Sequence, residues 1–185
     1  MELRIGLVGA AGTGKSTLAR MLANKLELPF LASKLVTQEV LDRDGYDYGS
    51  GIHIERFLAN SDRQVQLANR TFGIQKESAS FVTDRTAIDL AAYALCELHD
   101  SDPTTLGRVF KKCRENVNLY THLFLCPWGS LPMEDNKRRT LNPWYQLLIH
   151  TIEKGISSDW DVVLTELTMH GVQQRAQEVE GWLRV

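Results

Sequence analysis

Residues 9–16 read Gly-Ala-Ala-Gly-Thr-Gly-Lys-Ser: a glycine, four residues, then Gly14, Lys15 and Ser16. This is the spacing of a phosphate-binding loop. Glycines let the backbone wrap an anion without Cβ clashes and take positive φ where needed. Successive N–H groups then point inward and form a cradle, to which the helix that starts near Lys15 adds the positive end of its dipole. In such a loop the lysine ammonium reaches the β- and γ-phosphates and the serine hydroxyl coordinates Mg²⁺. The expected binding set is Gly9, Ala10, Ala11, Gly12, Thr13, Gly14, Lys15, Ser16 and Thr17.

The flanking elements support this reading. Leu3 to Val8 is short and mostly apolar, like a buried parallel strand, and Thr17 to Leu26 carries apolar residues at near-helical spacing. Further strands are expected at 28–31, 80–83, 119–126 and 160–165. Helices are expected at 34–43, 54–78, 87–98, 104–117, 144–154 and 172–183. Alternating strands and helices imply right-handed βαβ units, hence an α/β fold in three layers: a parallel sheet of about five strands with helices on both faces. Ligands of such sheets bind at the carboxyl ends of the strands.

The strand at 80–83 ends in Asp84-Arg85. A carboxylate there can hold Mg²⁺ or accept a proton from an attacking hydroxyl, or it can simply cap the helix that starts at Thr86. Arg85 suits bidentate phosphate binding or a surface ion pair, and Asp89, one turn on, can pair with it. Residues 134–140, Glu-Asp-Asn-Lys-Arg-Arg-Thr, place Arg138 and Arg139 in a loop between a strand and a helix, where mobile arginines can stabilise a transferring phosphoryl group. Trp128, Trp144 and Tyr145 flank that loop, and packing at its hinges is expected ahead of base stacking. Arg56 and Arg63 face either a substrate phosphate or solvent, and Tyr46 and Tyr48 stand in a Gly- and Asp-rich loop that can close on an acceptor.

Composition narrows the class. The chain has 185 residues with a formal net charge of −2, which gives no global sign of nucleic-acid or membrane binding. Cys96, Cys113 and Cys126 lack Cys-x-x-Cys spacing and read as reduced thiols of a cytoplasmic protein; the five histidines show no zinc-like pairing. No leader peptide and no membrane span is expected.

The phosphate loop at the first strand, the strand end Val82-Thr83-Asp84-Arg85-Thr86 with Asp89 and Tyr93 after it, and the arginine-bearing loop after the fourth strand together resemble the small P-loop kinases of nucleosides and nucleotides. The nearest likeness is to thymidylate-kinase-like deoxynucleotide kinases and to the kinase domain of bacterial nicotinamide riboside kinases, which include many phage-encoded members. The resemblance spans nearly the whole chain. It implies one kinase domain over 1–185, with an acceptor-binding helical region at about 34–78 and a lid at about 127–143. It implies ATP and Mg²⁺ as cofactors, Ser16 and Asp84 at the metal, Lys15, Asp84, Arg85, Arg138 and Arg139 as catalytic residues, and a monomer or homodimer in the cytoplasm, or in the host's cytoplasm for a phage protein. Related nucleoside kinases often carry an acidic base just after the second strand, where this chain reads Leu31-Ala32-Ser33-Lys34. Either Asp84 takes that role, Glu39 reaches in, or the acceptor is not a nucleoside 5′-hydroxyl. Some phage relatives phosphorylate 5-hydroxymethyluracil in DNA, an acceptor that Lys111, Lys112, Arg114 and Lys137 to Arg139 would suit. The alternative outside the kinases is a P-loop NTP hydrolase or switch coupled to a partner.

Overall fold

The computed structural model describes residues 2–45, 59–132 and 140–183. Five parallel strands stand in the order β2-β3-β1-β4-β5: β1 is Arg4–Val8, β2 Phe30–Leu31, β3 Phe81–Thr83, β4 His122–Leu125 and β5 Thr165–Glu166. Among the described residues there are seven α-helices: α1 Lys15–Leu26, α2 Ser33–Arg43, α3 Ser61–Glu77, α4 Ala87–Leu98, α5 Pro103–Asn116, α6 Pro143–Asp159 and α7 Val172–Leu183. The expected α/β class and three layers are what the chain forms.

Strand alternation assigns the layers. Ile5 and Leu7 of β1, Val82 of β3 and Phe124 of β4 pack with Leu18, Leu22, Ala176 and Val179 of α1 and α7 on one face. Phe81, Leu123 and Leu125 pack on the other face with α2 to α6. Gly6 sits where that second layer presses closest: a Cβ there would stand 2.7 Å from both Leu123 Cδ2 and Thr86 Cγ2.

Helix ends follow sequence signals. Asn60 caps α3 through Arg63 N–H, and Asp102 caps α5 through Thr105 N–H with Pro103 at the first position. Residues 54–58, the start of the expected long helix, lie outside the described residues.

Three strands differ from expectation by two residues or more, and the one expected at 28–31 pairs only over Phe30–Leu31. The expected strand at 119–126 yields its start to a 3₁₀ turn, Val117–Leu119, and pairs only over His122–Leu125. At 160–165 the helix wins instead. Helix α6 runs on to Asp159, Trp160 N–H returns to the Ile156 carbonyl, and Asp161 turns left-handed at φ 54°. Val162 N–H then bonds Ser157 O, so the apolar run Val162-Val163-Leu164 is used in leaving the helix. Only Thr165 and Glu166 reach the sheet, opposite Phe124 and Leu125.

Candidate functional site

The phosphate loop joins the carboxyl end of β1 to α1. Gly9, Gly12 and Gly14 have φ of 147°, 85° and 85°, the region in which glycine alone is unstrained. Gly9 also passes so near β4 that a Cβ would stand 2.9 Å from the Cys126 carbonyl oxygen. Thr13 is buried and closes the loop through Oγ1 to Ala10 O at 2.9 Å, while the Ala11 N–H donates to Tyr93 Oη at 3.2 Å. Helix α1 has no side-chain cap; Gly14 occupies its N-cap position, which leaves the first-turn N–H groups open to an anion. Ser16 and Thr17 are exposed at that end.

The Lys15 ammonium is folded back onto the Gly9 and Ala10 carbonyl oxygens, at 2.9 Å from the latter. Asp89 Oδ1 lies 3.9 Å away. Asp89 is buried and also closes a capping box with Thr86: its Oδ2 accepts from Thr86 N–H at 2.9 Å and from Thr86 Oγ1 at 2.6 Å, while Thr86 Oγ1 accepts from Asp89 N–H. Burial raises its carboxyl above the ordinary carboxylate range against the pull of Lys15 and Arg85. Asp89 therefore holds the start of α4 and faces the loop lysine, rather than forming the expected ion pair with Arg85. The Arg85 guanidinium instead lies 5.3 Å over the Tyr93 ring.

Asp84 is the junction of the site. Its Oδ2 accepts from Ser16 Oγ and its Oδ1 from Ser33 N–H at 2.7 Å. Thr86, not Asp84, caps α4, so the capping role is excluded for Asp84. The two residues expected at a metal thus meet side chain to side chain. A hydroxyl and a carboxylate are hard oxygen donors of the kind Mg²⁺ takes, with substrate phosphates completing the set. Among the described residues no group of three or more His, Cys, Asp or Glu could hold a metal.

Other expected residues lie apart from this junction. The Glu39 carboxylate accepts from Arg70 of α3 at 2.6 Å, with both side chains about half exposed, so it does not reach in. Arg63 bonds Asp44 at 2.6 Å, and that contact, then Arg43, holds the Asp44 carboxyl below its ordinary value. Tyr145 Oη donates to Glu97, whereas Trp144 is 71% exposed. Lys111 pairs with Glu115, and Lys112 donates to Asn69. Cys113 and Cys126 are buried free thiols, the latter pushed up to about 11 by burial. Arg138 and Arg139, with Lys137, Arg56, Tyr46 and Tyr48, lie outside the described residues. Among the described residues no helix is long and apolar enough to cross a membrane.

Two charged residues at the loop were not expected. Arg175 of α7 is fully buried; its Nη1 donates to Thr13 O at 2.6 Å, Nε to Met169 O at 2.8 Å and Nη2 to Ser130 Oγ. Glu153 of α6 is fully buried on the opposite face of the sheet, and neither carboxyl oxygen has a hydrogen-bond partner among the described residues. Burial, then Asp89, raises its pKa well above the ordinary value, while Lys15 and Arg85 oppose the rise; the Gly9 N–H donates instead to Asp89 Oδ1, at 3.4 Å. A helical signal marks both. Ile149, Glu153 and Ile156 share one face of α6, and Val172, Arg175, Ala176 and Val179 share one face of α7, so each charge interrupts an apolar stripe.

Comparison with known proteins agrees with this geometry. The fold matches that of NadR protein in complex with NR at TM-score 0.75 and 16% identity, over 100% of this chain and 52% of that one. It matches deoxyadenosine kinase from M. mycoides at TM-score 0.67 and 12% identity, over 98% of each chain. Shikimate kinase from Acinetobacter baumannii matches at TM-score 0.61 and 18% identity, over 99% of this chain and 93% of that one. The chain spans about half the length of the NadR chains. No curated protein matches it in sequence. At these identities the likeness establishes the P-loop kinase fold. The model of the AAA_28 family, described as "AAA domain", matches residues 4–175, and with its phosphate loop at 9–16 the chain belongs to that family.

Proposed function

We propose that the protein is an ATP- and Mg²⁺-dependent kinase that transfers the γ-phosphoryl group to a nucleoside, nucleotide or nucleotide-like acceptor. The observation that carries this reading is the meeting of Ser16 and Asp84 at the mouth of a phosphate loop. In this reading residues 1–185 act as one domain, with the acceptor side at about 34–78 and Arg138 and Arg139 on a lid at about 127–143.

The loop N–H groups and the α1 terminus bind the phosphates. Lys15 leaves the Gly9 and Ala10 carbonyls for the β- and γ-phosphates, so its resting contacts are a store of an already oriented ammonium. Magnesium held by Ser16 and, directly or through water, Asp84 would neutralise charge on the phosphates. Arg85, steadied over Tyr93, is placed for an acceptor phosphate. Both Asp84 oxygens are engaged and Glu39 is turned to Arg70, which favours an acceptor oxygen that is already ionised, as in a nucleoside monophosphate.

Incubating the protein with γ-labelled ATP and, separately, nucleosides, nucleoside monophosphates and hydroxymethyluracil-containing duplex checks this. Label on a monophosphate is the expected result. Label on duplex alone would assign the acceptor to DNA, and free phosphate alone would make the protein a hydrolase.

A further inference from the structure

Arg175 presents a physical problem that packing alone does not answer. Its guanidinium is fully buried, and its three acceptors among the described residues, Thr13 O, Met169 O and Ser130 Oγ, are all neutral. Among the described residues no carboxylate lies within ion-pair distance of it. A buried cation without a counter-charge is costly, and a negative charge arriving beside it offsets that cost. The three acceptors belong to three separate segments: the phosphate loop, the segment after β4, and the turn between β5 and α7.

The contact with Thr13 has a direct consequence. The Thr13 carbonyl and the Gly14 N–H belong to one peptide unit. A charged donor on that oxygen polarises the amide and strengthens its N–H as a donor to an anion in the cradle. Gly14 is held against the same neighbours: a Cβ on it would lie 2.7 Å from Leu131 Cδ1, 3.5 Å from Val172 Cγ2 and 3.7 Å from Arg175 Nη1. The Ser130-Leu131 pair is therefore in register with the loop through Arg175.

We propose that Arg175 is a positioning residue for nucleoside triphosphate: its charge supports the phosphates from behind the loop, and its fork fastens the segment after β4 to that loop. This rests on the kinase reading above. Two roles separate in the substitutions. Arg175→Lys keeps the charge and loses the fork, Arg175→Met loses both, and Ser130→Ala removes one arm of the fork, together with the Ser130 bond to Pro127 O, while leaving the charge.

The test measures triphosphate affinity, KM, kcat and melting temperature for the four proteins. Arg175→Met is expected to weaken triphosphate binding about tenfold or more, the size of one charge-assisted contact. Arg175→Lys is expected to recover most of that affinity while kcat stays reduced, and Ser130→Ala to lower kcat with KM for the nucleotide within about twofold of wild type. Folded Arg175→Met that binds triphosphate like wild type overturns the proposal, as does Ser130→Ala with unchanged kcat. Should Arg175→Met not fold, the split between Arg175→Lys and Ser130→Ala decides. Wild type that binds no triphosphate refutes the kinase reading itself, a different outcome from either.

Discussion

Arg175 and Glu153 are both fully buried charges that press on the phosphate loop from opposite faces of the sheet, yet they are solved in opposite ways. Arg175 spends its donors on three neutral acceptors. Among the described residues Glu153 has no hydrogen-bond partner for either oxygen, and burial, then Asp89, raises its pKa well above the ordinary value. The pair teaches that the loop's floor is electrostatically asymmetric: a fixed positive charge on the α7 side and suppressed negative charge on the α6 side. Both choices favour an anion in the cradle, since an ionised Glu153 would add negative charge behind the loop, whereas Arg175 adds positive charge.

The contrast can be broken at each end. The largest stability effect is expected at Arg175→Met, which leaves the Thr13 and Met169 carbonyls and the Ser130 hydroxyl without their donor; a loss of about 2–4 kcal/mol is expected in denaturant unfolding. The same measurement on Glu153→Leu should move the other way, by a gain of about 1–3 kcal/mol, because an orphaned polar group is replaced by an apolar one of similar size. A loss at Glu153→Leu would mean that the carboxyl is satisfied and that the asymmetry is wrong.

The pH dependence sharpens this. Glu153 has a pKa above its ordinary value of 4.5 in the folded chain. The native state therefore binds more protons than the unfolded one above that value, and the Glu153 contribution is lost as pH rises through its native pKa. Stability should fall with rising pH over this window, and Glu153→Gln should flatten the slope, leaving only the share of Asp89, which is raised in the same direction. An unaltered slope in the Gln variant would remove Glu153 from the account. The smallest effect is expected at Thr86→Ala, which opens the capping box of α4 and should cost about 1 kcal/mol while Asp89 stays in place beside Lys15.

Much of the site was readable in the sequence because its chemistry is local. The glycines, Lys15 and Ser16 sit at fixed offsets, and Asp84 follows directly on a short apolar strand. The helices at 87–98 and 172–183 were bounded correctly by their apolar spacing. The strand at 160–165 was not, since Val162-Val163-Leu164 looks like a strand while the helix end before it decides its path. The role of Asp89 was misread because Arg85 is its neighbour in sequence and Lys15 only in space. Arg175 and Glu153 escaped for a related reason. A single charge on an amphipathic helix reads as solvated, and Lys154 beside Glu153 suggests a surface pair. The interrupted apolar stripes were the available signal, but they say that a charge is buried, not what it faces.

In the proposed reaction the γ-phosphoryl group leaves the bridging oxygen of ATP and bonds directly to an acceptor oxygen, while Lys15 of the loop at residues 9–16 stabilises its charge. Transfer of label from γ-labelled ATP to a nucleoside monophosphate, measured in wild type and in Lys15→Ala with the fold of both checked by circular dichroism, tests it most directly. Wild type is expected to transfer the label, and Lys15→Ala to lose nearly all of that transfer. Transfer at the wild-type rate in that variant would contradict it.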